Sequence, residues 1–133
     1  MEPEKVVPYF GTVEKPECHM LYNVTTMATT WHTVATRDVR LLKKQLDIVN
    51  GLPKDYVFLN YLRCHDDIGW GLDYATLQQE GIEERSHKKY LNDYFQGFAG
   101  ESNSRGVTVS EEVKQLWKVE LSTTSQDLRH LVT

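Results

Sequence analysis

Residues 56–62 constrain the fold more than any other stretch of this chain. The run Tyr-Val-Phe-Leu-Asn-Tyr-Leu is apolar apart from Asn60. A strand that is apolar on both sides is typical of a parallel sheet covered by helices. We therefore expect a buried parallel strand here. Because Arg63-Cys64-His65-Asp66-Asp67 follows at once, an imidazole and two carboxylates are predicted at the end of that strand.

The segments before this run complete a strand–helix–strand pattern. Residues 18–23 predict a short strand, with Asn23, Thr25 and Thr26 as candidate caps of the helix that follows. Residues 27–50 predict one helix, because apolar residues recur at steps of three and four. That predicted face consists of Trp31, Ala35, Val39, Leu42, Leu46 and Val49. Strand, helix and strand in this order form a βαβ unit, so the predicted fold class is α/β.

The second half of the chain predicts further helices. Residues 74–80 suggest a short helical piece within a loop, and residues 83–95 a longer helix. The apolar face of the longer helix would consist of Tyr90, Leu91, Tyr94, Phe95 and Phe98. Residues 110–121 predict one more helix, whose first turn is rich in capping residues.

Composition narrows the function classes. The chain has 133 residues, of which 40% are hydrophobic and 26% charged, as in soluble globular proteins. Its formal net charge of -4 argues against non-specific nucleic-acid binding, which depends on basic residues. No signal-peptide pattern and no apolar run near the roughly 20 residues of a membrane span is visible. We therefore expect a cytoplasmic protein without a membrane partner, and Cys18 and Cys64 as buried, reduced thiols.

The residues at the predicted strand end leave several interpretations open. His65, Asp66 and Asp67 lie where α/β barrels carry catalytic groups. Adjacent carboxylates repel, so the two aspartates should diverge. A solvated acidic loop is one alternative, and a metal site or a metal-dependent phosphohydrolase is another. Because the other histidines show no ligand spacing, we predict neither metal nor cofactor.

A longer string favours a carbohydrate enzyme. Residues 59–70, Leu-Asn-Tyr-Leu-Arg-Cys-His-Asp-Asp-Ile-Gly-Trp, resemble the strand-seven segment of glycoside hydrolase family 13, the α-amylase family, and within it the amylosucrase branch. Residues 3–11 resemble the segment after the acid/base glutamate of that branch, and residues 22–23 and 31–37 its sixth strand and helix. Residues 91–95 and 105–106 resemble the loop after strand seven.

The resemblance implies a partial (β/α)8 barrel. Residues 1–106 would supply roughly strands six and seven with their helices and the long loop, and residues 107–133 would form a tail without family resemblance. The implied reaction is retaining glucosyl transfer or hydrolysis at an α-glucosidic bond of sucrose or an α-glucan.

The resemblance also implies roles for individual residues. Asp66 matches the carboxylate that stabilises the transition state, and His65 the histidine that hydrogen-bonds the same sugar ring. Asp67 corresponds to a residue of the neighbouring sugar subsite. Trp70 would form an aromatic wall of the pocket, and simple packing in the core is the alternative for this residue.

Two catalytic positions of the family have no counterpart in the sequence. The nucleophile aspartate and the acid/base glutamate would both precede Met1, and neither Glu2 nor Glu4 lies in the expected context. A truncated gene or a fragmentary gene model would give this pattern. We therefore expect no turnover by the isolated chain. The alternative function is a catalytically inactive piece that acts at most as a sugar-binding or interaction element.

Overall fold

The computed structural model describes residues 3–62, 70–108 and 121–122. The described helices are α1 (Pro3–Val6), α2 (Val24–Thr36), α3 (Arg40–Gly51), α4 (Tyr74–Gln79) and α5 (Glu84–Phe95), with a 3₁₀ turn at Val7–Phe10. The strands are β1 (Met20–Tyr22), β2 (Val57–Leu59), β3 (Val107–Thr108) and β4 (Leu121–Ser122).

The sheet pairing confirms the α/β prediction. Strand β1 pairs with β2 in parallel, with Met20 opposite Val57, and α2 and α3 lie between them in the chain. Strands β3 and β4 form a separate antiparallel pair. Across the described residues the parallel sheet has two strands and no barrel is seen.

The expectation that the second strand is buried on both faces is wrong for the described part of the chain. Strand β2 has three residues rather than seven, and its outer two, Val57 and Leu59, are 42% and 43% exposed. Side chains alternate along a strand, so the register places Met20 and Tyr22 on that same open face. The apolar residues of this run therefore did not show that both faces of the strand are buried.

The predicted single helix over residues 27–50 is wrong, because the chain breaks after Thr36. Arg37 adopts a left-handed conformation with φ of 58°, and its amide donates to the Thr33 carbonyl, which closes α2. Asp38 then accepts the backbone amide of Arg40 at 3.0 Å, where α3 begins. The side chain and amide of Arg40 lower the pKa of Asp38 to about 2.

This break changes which residues of α3 and its N-cap are buried. Val39 and Leu46, predicted to face the core, are exposed, whereas Leu41 and Gln45 are buried. The apolar spacing predicts a single face only for a continuous helix, and that face does not extend across the break between α2 and α3. In α2, where no break intervenes, the predicted Trp31 and Ala35 are buried.

The chain forms two compact units. The first comprises residues 1–62 and 71–76, and its buried apolar residues are Phe10, Met27, Ala28, Trp31, Ala35, Leu41 and Leu72. The described part of the second comprises residues 70, 77–108 and 121–122, and the buried apolar residues there are Trp70, Leu77, Leu91 and Phe95. The predicted boundary at residue 106 stays a prediction.

The remaining helix predictions have mixed outcomes. Helices α4 and α5 lie where the sequence predicts them, and Leu91 and Phe95 are buried as expected. Phe98 is 79% exposed, so its assignment to the apolar face is wrong. The helix expected at 110–121 falls outside the described residues except for Leu121, which lies in β4.

The cysteine prediction is wrong where the structure tests it. Cys18 is exposed rather than buried, and Cys64 is not among the described residues.

Within the described ranges, no helix combines the length and the apolar character that crossing a bilayer requires.

Candidate functional site at the strand ends

Most of the predicted site residues fall outside the described structure. His65, Asp66 and Asp67 belong to residues 63–69, which are not described. Their roles therefore stay predictions. The structure does describe the chain up to Leu62 and again from Trp70 onward.

The two parallel strands end side by side, and an asparagine follows each of them. Asn23 comes directly after β1 and Asn60 directly after β2. The Asn23 Nδ2 donates to the Asn60 Oδ1 at 2.9 Å, and the Asn23 amide nitrogen donates to the Leu59 carbonyl at 3.0 Å. The Asn23 Oδ1 also accepts the amide of Thr26 at 3.3 Å, which confirms its predicted role as the cap of α2. One buried side chain thus joins both strand ends to a helix start.

Two contacts that involve aromatic side chains lie at the same strand ends: a ring pair and a hydrogen bond. The rings of Tyr22 and Tyr61 meet edge to face, with centroids 5.3 Å apart and an interplanar angle of 76°. The indole nitrogen of Trp31 in α2 donates to the Leu62 carbonyl at 2.8 Å. Residues 60, 61 and 62 therefore each contact a side chain from β1, its flank or α2. We call Tyr22, Asn23, Asn60 and Tyr61 the strand-end rim.

An apolar cavity of about 370 Å³ lies beside β1 in the first unit. This volume is within the range of about 300–1,000 Å³ typical of small-molecule sites. The polar groups that line the cavity belong to tyrosine, asparagine and threonine side chains, so none carries a full charge at neutral pH. The lining residues are Val6, Tyr9, Leu21, Tyr22, Asn23, Val24, Thr25 and Phe58.

Trp70 is the one predicted site residue that the structure describes. It is 6% exposed, and its indole nitrogen donates to the Asn92 Oδ1 at 2.8 Å. Its ring stacks on Phe95 with centroids 5.7 Å apart. These contacts pack Trp70 within the second unit, and its predicted role as a wall for sugar stays a prediction.

A second polar cluster in the first unit is fully enclosed. The Gln45 Nε2 donates to the Asp73 Oδ2 at 3.0 Å, and the Thr76 hydroxyl donates to the same oxygen at 2.8 Å. The other carboxylate oxygen of Asp73 accepts the amides of Ala75 and Thr76 at the start of α4. Burial alone would raise the pKa of Asp73, but these hydrogen bonds lower it overall. The cluster is an internal cap for α4, and we call it the buried cap.

Some of this arrangement carried no usable signal in the sequence. The bond from Trp31 to Leu62 joins residues 31 positions apart, and that from Gln45 to Asp73 joins residues 28 apart. Spacing rules describe neighbours along a helix or strand and cannot predict such pairs. Asp73 did carry a local signal, since an aspartate before a helical segment is a typical cap.

The described residues contain no group of three or more His, Cys, Asp or Glu side chains that could hold a metal ion. A scan against models of known protein families finds no match for this chain.

Proposed function

We propose that this chain is part of a carbohydrate-active enzyme of the glycoside hydrolase family 13 type, and that its strand ends bind a neutral α-glucoside such as sucrose or an α-glucan. One observation carries the proposal: β1 and β2 are parallel, so both strands end on the same side of the sheet. The chain that leads into His65-Asp66-Asp67 therefore leaves the sheet at the carboxyl ends of its strands. Ligands of α/β folds bind at the carboxyl ends of the strands.

The residue roles of this proposal follow the motif. Asp66 accepts hydrogen bonds from sugar hydroxyls and favours the oxocarbenium-like state, and His65 donates to the same ring. Asp67 belongs to the neighbouring sugar position, and Trp70 forms an aromatic wall of the pocket. A carboxylate and an imidazole at a strand end suit this task, because sugar hydroxyls are both donors and acceptors.

The proposal assigns binding, and not turnover, to these residues alone. Retaining glycosidases need a nucleophile and an acid/base carboxylate about 5–5.5 Å apart. The motif positions of both have no counterpart among these 133 residues. The chain by itself is then a sugar-binding element of a larger catalytic arrangement.

A paired binding and turnover experiment tests the proposal. Saturation-transfer NMR with sucrose and with maltotriose should show binding to the purified chain, and Asp66→Asn should weaken it strongly. Asp93→Asn is the matched control, since Asp93 is a carboxylate of α5 paired with Lys89. A reducing-sugar assay on both substrates should show no release. Absence of binding, or equal losses in both variants, would contradict the proposal.

A further inference from the structure

The apolar cavity beside β1 lies between the N-terminal segment and the two parallel strands. Leu21 and Phe58 are opposite each other in the strand register, and both line the cavity. Val6 and Tyr9 line it from the N-terminal segment, and Val24 lines it from the first turn of α2. Three stretches of the first unit, far apart in the sequence, therefore bound one cavity.

Ring contacts and backbone hydrogen bonds hold the walls of the cavity in place. The Phe58 ring meets the buried Phe10 ring edge to face, with centroids 5.5 Å apart and an interplanar angle of 81°. The Tyr9 carbonyl accepts the Cys18 amide at 3.0 Å. The Phe10 carbonyl accepts the Glu17 amide at 3.1 Å. Because the walls are fixed by contacts of the chain itself, a ligand enters a preformed space and does not have to order it.

The volume and the lining of the cavity together define a ligand class. Aliphatic and aromatic side chains form most of the lining, and none of the eight lining residues is Lys, Arg, Asp or Glu. In another protein, an engineered cavity of about 150 Å³ lined by leucine, isoleucine and phenylalanine binds benzene. The present cavity is larger, at about 370 Å³. A charged group would lose its hydration there without gaining a counter-ion, which costs free energy.

We propose that this cavity binds a small uncharged molecule with an aromatic ring. The ligand displaces water from Val6, Leu21 and Phe58, and the burial of apolar surface on both sides drives binding. The site does not depend on the proposed sugar-binding function. It takes a ligand of different chemistry, and its lining includes none of the motif residues at positions 65–67.

An NMR titration of the methyl-labelled full chain with benzyl alcohol tests the site. The methyl signals of Val6, Leu21 and Val24 should shift in a saturable way, whereas those of the exposed Val13 should not. Benzoate has a similar size but carries a charge, so it should bind at least about tenfold more weakly. Equal affinity for benzoate and benzyl alcohol would overturn the ligand class.

A variant that fills the cavity should abolish most of the binding. Val6→Trp places a large side chain in the space that the ligand needs, so the affinity for benzyl alcohol should fall at least about tenfold. Val13→Trp is the matched control, because it adds the same side chain at a position that is 96% exposed and not part of the cavity lining. It should bind as the wild type does.

A second variant keeps the test independent of folding defects in Val6→Trp. Tyr9→Leu removes an aromatic ring from the lining at a position that is 52% exposed, and it retains the backbone bond to Cys18. Binding should weaken about two- to tenfold, the value of one aromatic contact.

Wild-type affinity in both Val6→Trp and Tyr9→Leu, or no saturable shift in the wild type, would overturn the site. The latter result would also be obtained if another part of the chain or a second copy filled the cavity in solution. Binding of maltotriose is measured separately, so the proposed function can fail while the cavity site stands, and the reverse.

Discussion

The buried cap and the strand-end rim are two polar clusters of the first unit that differ in how far their side chains are exposed to solvent. In the buried cap, Gln45 is fully buried and Asp73 is 7% exposed, and the carboxylate oxygens accept four hydrogen bonds from nearby protein groups. In the strand-end rim, Tyr22 and Asn60 are exposed. The four hydrogen bonds to the Asp73 carboxylate stabilise the fold, although the Oε1 of Gln45 is buried without a hydrogen-bond partner among the described residues. Exposed donors and ring faces, in contrast, can bind a ligand.

The largest expected effect comes from removing the carboxylate of the buried cap. Asp73→Ala removes the cap of α4 and leaves the Gln45 amide buried without its acceptor, so the free energy of unfolding should fall by about 2–3 kcal/mol. Urea denaturation measures this change. Asp93→Ala should change stability by less than about 0.5 kcal/mol, since it breaks an i,i+4 surface ion pair with Lys89. Equal losses of stability in Asp73→Ala and Asp93→Ala would contradict the larger role of the buried cap in stabilising the fold.

Acid should act on the buried cap through the same carboxylate. The pKa of Asp73 is lowered in the folded chain, so its ionisation contributes stability that is fully present above the unfolded value of about 3.9. That contribution is lost as the pH falls through the folded pKa. The urea midpoint of the wild type should therefore decrease below about pH 4 more than that of Asp73→Asn. If the urea midpoints of the wild type and of Asp73→Asn fell equally with pH, the contribution of the Asp73 carboxylate to stability would be wrong.

A smaller effect is expected where α2 contacts the end of β2. Trp31→Phe retains most of the buried ring but leaves the Leu62 carbonyl without its indole donor, which should cost about 1 kcal/mol. Thermal unfolding followed by circular dichroism would detect a lower Tm. An unchanged Tm would mean that solvent replaces the indole without cost.

The smallest effect on stability is expected in the rim itself. Because Tyr22 is exposed, Tyr22→Phe should change the free energy of unfolding by less than about 0.5 kcal/mol. Urea denaturation at neutral pH would measure this change. A loss as large as that of Asp73→Ala would show that the rim stabilises the fold instead of presenting a free surface.

The sequence predicted helices α4 and α5 from local patterns, and the order of strand, helix and strand predicted the parallel pair. It failed at Arg37, where a left-handed residue and Asp38 divide one apolar pattern between two helices. It also overstated the burial of Val57 and Leu59, since apolarity shows what a side chain favours and not what covers it. The rim required the fold, because Tyr22 and Tyr61 meet only once the strands pair.

Intermolecular nuclear Overhauser effects between maltotriose and the labelled chain test the central claim most directly. The account predicts contacts from the sugar ring protons to the His65 imidazole and to side chains at the carboxyl ends of β1 and β2. Contacts confined to α3 or α5, or no contacts at ligand concentrations well above the dissociation constant expected for a single sugar site, would contradict it.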